Sequence, residues 1–312
     1  MSGKIRNELR GSTTAWGQHK MDWKLALFLF AFIFPGLIIY LVLYIWPFMY
    51  AFVISLFSWK GYTMNMTFVG LDNFKKLLSD DIVWVGLKNN LFFLLWSTVV
   101  IFILSMFFAM AVTRLKVKFP NFFRITFFFP NTFSIIVVGI LWMFIYNPSI
   151  GLLNAVLNSI GLGSLARDWL GNKDIVMKSL VVPQAWMYIG FYMVQFVASI
   201  GNIQEEYYEA ATIDGAGQIK QFWYITIPLL WGTLRTALVF FVVNAFSRTF
   251  ALVNVVTDGG PNHASELLTT YLYRQAFQFS NFGYATAIGV VLFVVVGVIS
   301  FTLYRVSERD IV

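Results

Sequence analysis

Six runs of the chain, at roughly residues 25–57, 89–113, 123–146, 178–203, 230–256 and 284–305, are long and apolar enough to cross a bilayer. Crossing the hydrocarbon core takes about 20 consecutive apolar residues in a helix. Inside lipid each backbone N–H and C=O must find its partner within the protein, so runs of this length read as helices. The fold class they predict is an all-α membrane protein with six transmembrane helices. Composition agrees, with 59% hydrophobic, 19% aromatic and only 12% charged residues, and a mean hydropathy of +0.72. A soluble domain carries about twice that charged share. The chain has no cysteine and only two histidines, His19 and His263, which excludes disulfides, thiolate chemistry and a histidine metal cluster.

The net charge of +7 does not point to nucleic acid, because the basic residues are not gathered on a soluble face. Lys4, Arg6, Arg10, Lys20 and Lys24 precede the first run, and Arg114, Lys116, Lys118 and Arg124 crowd one short loop without an acid. That is the positive-inside pattern. It places both termini in the cytoplasm, with cytoplasmic segments 1–24, 114–124, 204–229 and 306–312, and a transmembrane domain over 25–305. Residues 1–24 read as a tail rather than a cleavable signal, since the following run is too long and lacks a small-residue cleavage site. The overlong first run contains Pro35 and Pro47, so a kink or an early exit is expected near Pro47. Residues 149–163 are too short to span; Leu152, Leu153, Val156, Leu157 and Ile160 at helical spacing predict an amphipathic helix on the outer interface.

Between the fourth and fifth runs lies an acidic island, Glu205-Glu206-Tyr207-Tyr208-Glu209-Ala210-Ala211-Thr212-Ile213-Asp214-Gly215. Asn202, three residues before Glu205, has the spacing of a capping box and predicts a helix start. Gly215 and Gly217 end that helix in a sharp turn, because glycine accepts positive φ. A second short helix through Ile219, Phe222 and Trp223 leads to Pro228, which suits the first turn of the next helix. Ala210 and Ala211 leave the backbone open to close approach, and Glu209 offers a carboxylate to arginine or N–H groups. The glutamates have no nucleophile or metal site beside them, so an enzymatic reading fails.

The spacing of Glu209-Ala210-Ala211, Gly215, Ile225 and Pro228 resembles the EAA loop by which ABC importer permeases engage their ATPase. Ile227 departs from the usual leucine. Asp214-Gly215-Ala216, Phe68-Val69-Gly70-Leu71-Asp72-Asn73-Phe74, Thr257-Asp258-Gly259-Gly260-Pro261, Tyr271-Leu272-Tyr273 and Phe282-Gly283-Tyr284-Ala285-Thr286-Ala287 resemble the carbohydrate-uptake branch, the maltose and glycerol-phosphate permease type. Asp258 stands where that branch has glycine. Together these cover most of residues 25–305.

The resemblance implies a type I importer permease of the bacterial inner membrane, paired with a second permease subunit, plausibly a paralogue. It also implies two cytoplasmic ATPases holding ATP and Mg, and an extracellular solute-binding protein delivering a carbohydrate. Glu209, Ala210, Ala211, Asp214, Gly215, Ile225 and Pro228 would couple to the ATPase. The chain agrees in having no phosphate-binding G-x-x-x-x-G-K-[ST] loop.

Polar residues inside spans are costly and usually face a cavity or another helix. Gln184, Tyr188, Tyr192, Gln195 and Ser199 form one stripe of the fourth run, and Asn244, Ser247 and Asn254 share a face of the fifth. Glutamine and tyrosine suit sugar hydroxyls, so these residues are candidates for the solute path; the alternative is that they only hydrogen-bond neighbouring helices. Arg248 is expected in a structural ion pair, with an anionic solute or the membrane interface as alternatives. The rival overall reading is a secondary carrier driven by an ion gradient. It would call for carboxylates within the spans, and no Asp or Glu lies in any of the six runs.

Overall fold

The computed structural model describes residues 23–62, 65–115 and 117–307. Lys4, Arg6, Arg10, His19, Lys20, Lys116 and most of both expected tails lie outside the described residues, as does the side chain of Ser247. The chain divides into two units, one ending at Val53 and one beginning at Ile54.

The first unit is a single apolar rod: α1 (Trp23–Tyr40), a wide π turn (Leu41–Ile45) and α2 (Trp46–Ile54). Ring pairs four residues apart line it, with centroids 4.7 Å apart for Phe30 and Phe34 and 5.7 Å for Tyr40 and Tyr44. The early exit expected at Pro47 does not occur. The π turn lies just before the proline, widening the helix where the pyrrolidine ring would meet the carbonyl of Leu43, and the helix continues to Ile54.

The second unit opens with β1 (Phe57–Ser58) and β2 (Thr67–Phe68), an antiparallel pair with Phe57 opposite Phe68, followed by α3 (Asp72–Leu78). α4 (Asp81–Arg114) begins earlier than residue 89 because Asp80 caps it, its carboxylate accepting from the Ile82 N–H at 3.0 Å. The same carboxylate accepts from the hydroxyls of Tyr271 and Tyr284, each at 2.7 Å. Burial alone would raise its pKa, but the hydrogen bonds from Tyr284, Tyr271 and backbone N–H groups outweigh that and hold it below the usual carboxylate range.

The run 123–146, expected as one span, is broken. α5 (Pro120–Phe128) passes into a 3-10 turn through Thr132, and α6 (Ile135–Ile145) leaves at 99°. Pro130 supplies no N–H, and Phe133 and Ser134 are extended, so the ladder cannot continue. α7 (Leu152–Ser159) is the amphipathic helix expected over 149–163. Its Leu152 and Val156 are exposed while Asn154 turns inward, donating to the Arg167 carbonyl at 3.0 Å and accepting from Trp169 Nε1 at 2.8 Å.

α8 (Val176–Gly201) is the most enclosed helix of the unit. α9 (Glu205–Ile213), α10 (Gln218–Gln221), a π turn (Phe222–Thr226) and α11 (Ile227–Val256) follow, then α12 (Leu268–Tyr273) and α13 (Phe282–Val306). Among the described residues five helices are long and apolar enough to cross a membrane, and the bent pair makes a sixth if counted as one span. The core joins Ile101, Met106 and Ala109 of α4 to Met193 and Phe196 of α8 and Leu230 and Phe241 of α11. Ser105 Oγ donates to the Ile189 carbonyl at 2.8 Å, and Gly190 of α8 lies against the backbone of Phe127 and Phe128 in α5. Such small and hydroxylic contacts let helices pack where lipid supplies no hydrophobic drive.

The segment after α11 is tied by a fully buried carboxylate. Glu266 accepts from Arg274 Nη1 at 2.8 Å and from Thr270 Oγ1 at 2.6 Å, and contacts His263 Nδ1 at 2.7 Å. Asp258, the residue that departs from glycine in the family's turn, has φ +47, and its carbonyl accepts from Arg274 Nη2 at 2.6 Å. Aspartate is among the few residues that tolerate this left-handed conformation.

Candidate functional site

α9 and α10 form the helix–turn–helix read from the acidic island, with one correction at its start. Asn202 is not its cap: with φ −86 and ψ −8 it is helical and closes α8, whereas a cap needs an extended backbone. Gln204 at φ −60 and ψ 132 takes that place, without a side-chain hydrogen bond. The turn follows the expected route at Gly215, which has φ +77, and the Ala216 N–H returns to the Ala211 carbonyl at 2.8 Å. Gly217 has an ordinary φ of −70 and caps α10. Gln221 Nε2 holds the hairpin shut, donating to Thr212 Oγ1 at 2.9 Å and to the Ala216 carbonyl at 3.0 Å. Pro228 sits in the first turn of α11, and the π turn containing Ile225 passes into α11 without a break.

Tyr208 is the buried residue through which this knob meets two long helices. Tyr208 is 2% exposed; its hydroxyl shares a 2.9 Å hydrogen bond with Thr226, at the base of α11. The guanidinium of Arg114, the last residue of α4, lies 3.7 Å from its ring centroid and also pairs with Glu205 at 2.7 Å. A stacked, hydrogen-bonded arginine of this kind is geometrically fixed. The sequence reading used Arg114 only as a topogenic charge and assigned nothing to Tyr208, Gln221 or Thr226. A signal was available in Thr212, four residues after Tyr208, which marks the inward face of α9. The outward face exposes Glu209, Ala210 and Asp214, with Ala211 half-buried. Around it stand large apolar side chains in the open: Ile213 at 87%, Tyr224 at 82% and Ile219 at 78% exposure.

The second candidate region lies between α8 and α11. Gln184, Tyr188, Tyr192 and Asn244 come together there with Phe191, Phe240, Phe241 and Arg248 around a cleft of about 20 Å³. That is room for about one water, too narrow for a sugar unless the helices part. Tyr192 and Phe241 of its lining pack with Phe102 as a tilted and edge-on aromatic trio, with centroids 4.8 to 5.9 Å apart. Gln195, Ser199 and Asn254 do not line the cleft; Ser199 Oγ instead donates to Thr233 Oγ1 at 3.1 Å, a seam between helices. The Asn244 amide donates to the Phe240 carbonyl of its own helix at 2.8 Å.

The ion pair expected for Arg248 is absent among the described residues. Its guanidinium lies 5.1 Å from the Tyr188 ring centroid, because no carboxylate occurs on the faces that meet there. Larger clefts lie between α4 and α8, about 530 Å³, and between α4 and the α10–α11 segment, about 620 Å³, but Trp96, Trp142 and Trp186 in the first and Phe102, Phe107 and Phe222 in the second give almost no polar lining. They offer little to a hydroxyl-rich solute.

Residues 101–312 match the family described as binding-protein-dependent transport system inner membrane component. A probable ABC transporter permease of Bacillus subtilis (strain 168) is 38% identical over 267 residues, covering 85% of this chain and 91% of that protein. The diacetylchitobiose uptake system permease of Streptomyces coelicolor is 32% identical over 300 residues, covering 93% and 85%. A chain from a bacterial ABC transporter involved in import of the acidic polysaccharide alginate superposes with a TM-score of 0.79 at 23% identity, over 92% of this chain and 97% of its own. At that identity the likeness speaks for the fold.

Proposed function

Because the chain belongs to the family of binding-protein-dependent transport system inner membrane components, we propose that it is the permease subunit that passes a carbohydrate, an oligosaccharide or sugar derivative, through an ATP-driven importer. It is a multi-pass membrane protein of a transporter family, not an enzyme. The observation that carries the proposal is the knob of α9 and α10. It is pinned to α4 and α11 through Tyr208, and its outer face, with Glu209, Asp214 and the exposed Ile213, suits a protein partner.

In this reading separate ATPase subunits hold ATP and Mg in the cytoplasm, on the side where the knob and both termini lie. Glu209, Ala210, Ala211, Asp214, Gly215, Ile225 and Pro228 form or support the contact. A second permease subunit, plausibly a paralogue, completes the pore, and an extracellular binding protein loads it. The cleft between α8 and α11, with Gln184, Tyr188, Tyr192 and Asn244, lies on the path, and Gln195 and Ser247 are further candidates for it. The relative from Streptomyces coelicolor takes up diacetylchitobiose, which supports a saccharide cargo.

Reconstituted with its partners, the permease should accumulate sugar only with ATP and the ATPase subunit present. Without that subunit, an imposed proton or sodium gradient should drive no uphill uptake; robust uptake there would make this a secondary carrier. The fully buried carboxylate among the described residues, Glu266, does not favour a carrier: it lies outside the helices long enough to span and is already paired with Arg274. Glu209→Lys places a cation where an acceptor is proposed, on an exposed position that does not hold the fold. Membrane levels should stay near normal while ATPase co-purification and uptake fall about tenfold or more, the loss of one charge-assisted contact. Full retention with full uptake would show Glu209 to be a solvated residue.

A further inference from the structure

We propose that Arg248 makes this solute path selective for an anionic carbohydrate, one bearing a carboxylate or a phosphate. The proposal deepens the carbohydrate reading above and rests on it. Arg248 lies within α11, in a chain whose spans carry few charges, and a cation there is costly unless something answers it. Two arginines of this unit are paired with acids, Arg114 with Glu205 at 2.7 Å and Arg274 with Glu266 at 2.8 Å. Arg248 meets no carboxylate among the described residues, is exposed, and is steadied by the Tyr188 ring, 5.1 Å away. A guanidinium held against a ring keeps its N–H edge free, the geometry that matches the two oxygens of a carboxylate or phosphate.

A second observation at the same cleft points to a ligand. Gln184 is 1% exposed, and neither its Nε2 nor its Oε1 has a partner. A buried amide left unpaired on both atoms is rare and unfavourable. Gln184 lines the same cleft as Arg248, with Tyr192 and Asn244 between α8 and α11. The arrangement is a cation for an acid group, an amide for hydroxyls, and aromatic faces for the sugar ring. A neutral sugar would satisfy Gln184 and leave Arg248 unanswered; a sugar acid or sugar phosphate answers both.

The test is equilibrium binding to the purified, assembled permease complex, without its binding protein, so that selectivity upstream does not intervene. The probes are two matched pairs: digalacturonate against the neutral galactose disaccharide, and glucose 6-phosphate against glucose. The wild-type complex should prefer the anionic member of at least one pair by about tenfold to a hundredfold, as loss of a charge-assisted bidentate pair implies. Arg248→Gln should bring that ratio close to one, and Arg248→Lys should keep part of it. Which pair responds identifies the acid group. Equal binding of neutral and anionic probes by the wild type, or an unchanged ratio in Arg248→Gln, overturns the proposal and makes Arg248 a structural cation for the partner permease. Failure of every sugar, charged or neutral, to bind would sink the carbohydrate reading and this proposal with it.

Discussion

A Gly190→Ala permease should accumulate in the membrane far below the wild-type level, and what is recovered should unfold at a markedly lower temperature. Gly190 is in the middle of α8, and a methyl group there would overlap the backbone of Phe127 and Phe128 in α5. The obstacle is backbone, so it cannot rotate away as a side chain would. α5 or α8 must move, and α8 carries the centre of the core through Met187, Tyr188, Tyr192 and Met193. Overpacking of this kind costs about 1–3 kcal/mol, sometimes more. That is a large part of the 5–15 kcal/mol typical of a folded domain. Gly201→Ala is the control, since nothing lies within 4 Å of a methyl group built there. In a helix that change is neutral or favourable by up to about 1 kcal/mol. Membrane quantification and thermal unfolding of both variants decide the matter: a Gly190→Ala protein with wild-type level and stability would mean that the two helices do not touch as described.

Tyr208→Ala should separate ATP hydrolysis from transport. The substitution removes a buried ring, worth about 3–5 kcal/mol for aromatic-to-alanine changes. It also takes away the platform under Arg114 and the hydroxyl partner of Thr226, whose side chain is fully buried. The knob would then be held to α4 by the Arg114–Glu205 pair alone, a contact with an exposed carboxylate worth about 1 kcal/mol or less. Uptake should drop at least tenfold, with the spans still inserted and paired. Tyr208→Phe keeps the ring and loses one hydrogen bond, about 1 kcal/mol, and should remain close to wild type. Uptake and ATPase rate measured on the same preparations give the answer; a Tyr208→Ala complex that transports at full rate would show that the knob is not anchored through this residue.

These residues also show which parts of the molecule can be read from its sequence. Spans, the turn at Gly215 and the start of α11 at Pro228 depend on chemistry within a few neighbouring residues, and local patterns carry them. The helix start expected at Asn202 failed at the same range, because Asn202 closes α8 in a helical conformation and Gln204 takes the cap position of α9. The break at Pro130 was overlooked because the apolar residues through Phe129 and those from Ile135 add up to one span-length run, although Pro130-Asn131-Thr132 interrupts it. Contacts far apart in the chain left no such mark. Arg114 and Glu205 are 91 residues apart, and Asp80 meets Tyr271 and Tyr284 across 191 and 204. Each residue reads alone as a topogenic charge, a helix cap or an interfacial aromatic, and only the packed fold gives it a partner. The stripe on α8 divided for a related reason. Helical spacing put Gln184 and Ser199 on one face, while the neighbours that differ along its length turned one end toward a cleft and the other into a seam.

The uninterrupted passage from α10 through the π turn into α11 has a mechanical consequence. From Gln218 to Val256, at 1.5 Å per residue, the rod is about 58 Å long, against roughly 30 Å of hydrocarbon. It is a lever whose short arm is gripped by the knob and whose long arm passes Arg248 to end beside the Glu266–Arg274 lock. A tilt of about 10° at its base swings the far tip by roughly 10 Å at that length. In the importer proposed above, a tilt started at the knob would reach the far tip amplified.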